Sequence, residues 1–244
     1  MGTNCLSDNF PPFEFLGFAN TLRDSLGDEE ANVEKEFQVS EGHLITAFDL
    51  SLSACGSVIS RDAACLRSQI LLDDQRRAAI QTAMLQIAPL TFSLIVKGHY
   101  IAASTLVRQS IEGIEALRGI RQNRQKDGET PRLKALRHIG KLYGQLSGIA
   151  HLSKHNLLST LLGNIPFKIE PVFSKDTARL LAGVHIQTSI FLALDMAEMV
   201  PYSPTEFLSP DEGNACSSSL GILVAEGILA FKNQDETSTA HPSA

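Results

Sequence analysis

The chain is poor in aromatic residues, with no Trp and only three Tyr among 244 residues. Strand formers of that kind are scarce, while Leu, Ala, Ile and Ser are plentiful, and the balance leans away from β-structure. Its four cysteines, Cys5, Cys55, Cys65 and Cys216, form no C-x-x-C pair. That excludes a disulfide scaffold and a structural zinc finger, and it fits a reducing compartment. No glycine-rich phosphate loop or dinucleotide fingerprint occurs, so no cofactor is implied. The first ten residues, MGTNCLSDNF, lack both a basic and an apolar region. They predict no secretory signal, and the myristoylation pattern fails at Leu6. A net charge of −6 argues against a general polyanion binder. The 43% hydrophobic content excludes a disordered chain. The expected location is cytoplasmic.

Residues 1–37 read as an arm. Phe10, Phe13, Phe15 and Phe18 crowd around Pro11 and Pro12, and an acidic stretch follows from Asp24 to Glu36. The prolines argue against a regular element there, and the Phe cluster calls for an apolar groove on this domain or a partner. Residues 38–232 read as one helical bundle and 233–244 as a disordered tail. Apolar residues three or four apart predict helices from Ser40 to about Gly56, from Asp73 with a kink at Pro89, and from Tyr100 to Gln122. Thr130-Pro131 predicts the start of a further helix running to at least Ile149. Asn156–Leu162, Ser174–Met199 and Ser217–Phe231 complete six or seven helices in an all-α fold. The uncharged stretch Ala78–Val96 has nearly the length of a membrane span. Its Gln81, Thr82, Gln86, Pro89, Thr91 and Ser93 favour a buried helix, so no membrane is expected.

Chemistry concentrates in residues 132–155. Tyr143, Ser147, His151 and His155 follow one another at four-residue intervals, so on a helix they advance only about 40° per step. This polar stripe borders the apolar positions Leu136, Ile139, Leu146 and Ala150. The preceding helix offers Arg108, Glu112 and Glu115 as partners. Two readings follow: a satisfied polar network that sets helix register, or an acid/base site made of Glu112, Tyr143, Ser147 and His151. His151 and His155 have the spacing of a two-imidazole metal face, but no third ligand stands nearby, so no metal is assigned. Between Lys97 and Lys141 ten Lys or Arg face four acids. Arg118, Arg121, Arg124, Lys126, Arg132, Lys134, Arg137 and Lys141 gather there as candidate phosphate ligands for RNA or a nucleotide. The alternative is a solvated loop paired with the acidic arm.

The segments YIAASTLVRQSIE (100–112) and LYGQLSGIAH (142–151) resemble uncharacterised bacterial helical proteins related to the HEPN superfamily. Those carry A-x-x-L-x-R-x-x-x-E on one helix and Y-x-x-x-S-x-x-x-H on its neighbour. The resemblance implies an all-α bundle, often dimeric, whose two helices pair along their polar residues. It also brings the metal-independent ribonuclease pattern of an Arg, four to six residues, then His, which Arg132 and His138 fit. The polar residue that often follows that Arg is Leu133 here. The expectation is therefore a cytoplasmic protein acting through binding or assembly, with a second copy or a protein partner. The alternative is an RNA-cleaving enzyme in which His138 or His151 takes the 2′-hydroxyl proton and Arg132 or Arg137 stabilises the phosphorane. A third reading is a membrane-associated protein using Ala78–Val96.

Overall fold

Each helical signal in the sequence ends in a residue able to reverse the chain, and those reversals set the architecture. A computed structural model describes residues 13–64, 72–126, 128–134, 139–164 and 169–230, with only the backbone for 13–20 and 62–64. Seven α-helices and no strand occur among these residues: α1 Phe13–Ala64, α2 Leu72–Val96, α3 Tyr100–Arg121, α4 Gly140–Ala150, α5 His155–Leu161, α6 Lys175–Met199 and α7 Pro210–Ala225. Helix α6 packs against α1, α2 and α3, α7 lies along α1, and α4 packs on α3. The core is aliphatic, with Leu44, Ile95, Ile111, Leu117, Ile186 and Leu192 fully buried. Its main aromatic contact stacks Phe48 on Phe92 at 4.2 Å.

The ends of α2, α3, α4 and α7 share one device. After α2, His99 N–H donates to the Leu94 carbonyl and Gly98 N–H to Ile95, with Gly98 at φ +78°. The same paired bonds close α3 at Asn123, α4 at Leu152 and α7 at Gly227, all with positive φ. These left-handed residues satisfy carbonyls that a helix end leaves orphaned. At Gly98 a side chain is excluded twice, since a Cβ would also lie 2.9 Å from the Val172 carbonyl.

Three elements differ from the sequence reading. Residues 13–37, expected to hold no regular element, are helical and lead into α1, whose backbone kinks at Glu41 beside the expected helix start at Ser40, and Val33 and Phe37 are buried. The helix predicted from Thr130-Pro131 begins only at Gly140, and residues 128–134 are irregular. Helix α7 starts seven residues before the expected Ser217, because Ser209 and Glu212 form a capping box ahead of Pro210. Pro89 does not break α2, which runs on to Val96. The expected tail 233–244 lies outside the described residues.

The expectations of no membrane and of a cytoplasmic location are corrected. Three helices, over Thr21–Arg61, Leu72–Val96 and Lys175–Met199, are long and apolar enough to cross a membrane. Polar residues within Ala78–Val96 make that stretch look like a buried helix in the sequence alone. In the fold two of those groups are satisfied: Gln81 donates across to Asp195 Oδ2 of α6 at 2.8 Å, and Thr91 donates within α2 to the Ile87 carbonyl at 2.8 Å. Satisfied in this way, polar residues no longer set a membrane-length helix apart.

Candidate functional site: the seam between α3 and α4

Helix α4 offers one apolar edge, Leu146 and Ile149, and both are buried. That edge fixes the rotation of the helix and carries Tyr143 toward the Arg108–Glu112 pair of α3. Arg108 Nε donates to Glu112 Oε1 at 2.9 Å, and Tyr143 Oη donates to the same oxygen at 2.6 Å. The guanidinium carbon also stands 5.7 Å from the Tyr143 ring centroid. Arg108 Nη1 reaches 3.3 Å from His151 Nε2. Arginine only donates, so this imidazole nitrogen accepts and carries no proton. Four side chains from two helices thus close into one unit.

Electrostatics follows from that wiring. Burial pushes the Tyr143 hydroxyl above the usual phenol range, and its hydrogen bond to the Glu112 carboxylate adds to the rise. The contact with Tyr143 raises the Arg108 guanidinium further, with the Glu112 charge contributing. Both groups keep their protons, which suits a clasp.

Ser147 lies one turn from Tyr143, half-buried, and makes no side-chain hydrogen bond among the described residues. His151 caps α4 and is exposed. The chain then reverses at Leu152 (φ +52°), where Ser153 N–H donates to the Gly148 carbonyl at 2.9 Å. Lys154 folds over Gly148, where any Cβ would meet its side chain. His155 opens α5 instead of extending α4, so His151 and His155 do not share a helix face. Among the described residues no group of three or more His, Cys, Asp or Glu converges as a metal site.

The other expected residues are scattered. Arg132 is exposed on the irregular connection, and His138 and Arg137 lie outside the described residues. Arg118, Arg121, Arg124, Lys134 and Lys141 are all exposed. Of these, Arg121 pairs with Glu198, while Arg124 bonds the Gln122 side chain. The acidic segment of α1 turns elsewhere. Glu30 binds Lys97 at 3.0 Å and His99 at 2.8 Å, and the hydrogen bonds from His99 and then Lys97 hold its carboxyl below the usual range.

Two charged clusters escaped the sequence. Glu41, wholly buried, sits at a non-helical residue inside α1 (φ −133°, ψ 19°). Lys175 lies 3.0 Å from its Oε1, Arg179 lies 2.8 Å from its Oε2, and His43 bridges toward Glu226 at 3.3 Å. At the other end of the bundle Asp195 accepts from Arg77 at 2.9 Å and from Gln81 at 2.8 Å. Both clusters join residues more than a hundred positions apart, and no spacing rule reveals such pairs. No protein-family model, curated protein or solved structure matches this chain, so the seam must be interpreted from its own geometry.

Proposed function

We propose that this is a HEPN-like helical-bundle protein that works by binding or assembly, meeting a second copy or a partner protein along the outer stripe of α6. One observation carries the reading. Leu180, Phe191 and Leu194 are 47%, 40% and 41% exposed on a helix whose other face is buried in the core. Their spacing places them on one face over about 21 Å, with Val184 and Gln187 between them. The face is interrupted by buried Val184 and polar Gln187, but Phe191 and Leu194 together at one end and Leu180 at the other leave apolar side chains uncovered on a central helix, which marks a contact surface. The seam supports the same reading. Arg108 and Glu112 meet Tyr143 and His151 as the HEPN resemblance implies, and Glu112 spends one oxygen on two donors within the protein.

Analytical ultracentrifugation tests the proposal. The full chain should sediment as a defined oligomer or as a complex with its partner, and Phe191→Glu with Leu194→Glu should release a folded monomer. A chain that remains a strict monomer and captures no protein through this face would overturn it.

The Arg108–His151 contact favours a second reading, metal-independent RNA cleavage. With Arg108 swung from His151 Nε2 onto the phosphate, that nitrogen would take the 2′-hydroxyl proton as the 2′-oxygen bonds to phosphorus, and the P–O5′ bond would break with the 5′-oxygen taking a proton from water, Arg108 stabilising the phosphorane between. Cleavage of mixed RNA in EDTA, lost in His151→Ala, would support this reading; equal cleavage by that variant would remove it.

A further inference from the structure

The connection after α3 is more ordered than its charge suggests. Arg124 and Gln125 N–H both donate to the Gly119 carbonyl, at 2.8 and 3.2 Å, and Gln125 Nε2 donates to the Glu129 carbonyl at 2.6 Å. Gly119 permits this, since a Cβ there would lie 2.9 Å from Gln125 Cβ. On this frame Arg118, Arg124, Lys126, Arg132 and Lys134 stand exposed, against two acids, Asp127 and Glu129, in the sequence 122–134. Beside them opens a cleft of about 320 Å³ between α2, α3 and the connection. Ala79, Ile80, Ala116, Ile120 and Pro131 line it, and its charged groups are Arg76, Lys126 and one carboxylate, Glu129. Cations above an apolar floor match the two halves of a phospholipid, a phosphate headgroup and the root of its acyl chains. The location agrees, because α2 starts and α6 finishes at this end, tied by Arg77 and Asp195, and both helices are long and apolar enough to cross a membrane. No aromatic residue lines the cleft, so bases of RNA would find nothing to stack on.

We propose that this end of the bundle is a docking surface for anionic phospholipid membrane. Juxtamembrane cations attract acidic lipid additively, and salt weakens the attraction. The inference does not rest on assembly through α6, which lies on other residues and has its own test.

Flotation of the full chain with vesicles decides it. Phosphatidylglycerol-containing vesicles should carry the protein in low salt, and pure phosphatidylcholine vesicles should carry far less. Arg124→Glu, Lys126→Glu and Arg132→Glu together should weaken partitioning about a hundred-fold, with the helical circular dichroism unchanged. Ala79→Asp, which charges the floor alone, should also weaken vesicle binding. Equal flotation on neutral vesicles, or undiminished binding by the triple variant, would overturn the proposal. Binding of an RNA homopolymer with no vesicle binding would overturn it too, by assigning the cations to nucleic acid.

Discussion

Acid should weaken this bundle through His185 of α6. The imidazole is 1% exposed and stacks on Phe48 with ring centroids 5.5 Å apart. Its Nε2 meets the Ala88 carbonyl at 2.9 Å, so that nitrogen holds the proton, and buried Nδ1 has no hydrogen-bond partner. Burial pushes this histidine down to about 4, against an ordinary value of 6.5, and the bond to Ala88 only partly opposes the fall. The unfolded chain therefore takes up a proton below about pH 6.5 that the folded chain refuses until about pH 4. Stability is fully present above that window and is lost as pH falls through it, by about 3 kcal/mol in all. Urea unfolding followed by helical circular dichroism between pH 7 and pH 4 measures the loss. His185→Gln keeps an N–H for Ala88 and cannot ionise, so its curve should lack this part of the slope. Parallel curves for the two proteins would refute the reasoning.

Three substitutions probe the frame by the same unfolding assay. Leu152→Gly removes a bulky side chain from a left-handed position and should stabilise the protein by about 1 kcal/mol. Gly98→Ala meets both a positive φ and the Val172 carbonyl, and should cost about 2 kcal/mol or more. Glu41→Gln removes the buried carboxylate from between Lys175 and Arg179 and should cost about 3 kcal/mol, with native-state hydrogen exchange speeding up where α1, α6 and α7 meet.

The sequence makes the helical character and most helix ends legible, because apolar spacing and chain-reversing residues are local signals. The boundaries it misplaces are those where a local signal meets a stronger partner. Thr130-Pro131 looks like a helix start, yet the connection before it is held in turns by Gly119, Asn123 and Gln125. Pro11 and Pro12 suggested an arm, but they precede α1, and the burial of Val33 and Phe37 secures its later turns. The seam was readable because i,i+4 spacing survives in three dimensions: Arg108 and Glu112 face Tyr143 and His151. Ser147 shared that spacing without sharing the bonds. The Glu41 cluster draws on positions 41, 43, 175, 179 and 226, so only the packed fold assembles it. Membrane-length apolarity is hard to read in the sequence for a related reason, since the partner of Gln81 in α2 is Asp195 of α6, far along the chain.

The seam between the two helices turns on the unit formed by Glu112 and Tyr143, through which α3 holds α4. A double-mutant cycle with Glu112→Gln and Tyr143→Phe, read in unfolding free energy, tests it directly. The predicted coupling is about 1 kcal/mol, as expected for a hydrogen bond to a half-buried carboxylate. Two substitutions whose effects simply add would contradict the account.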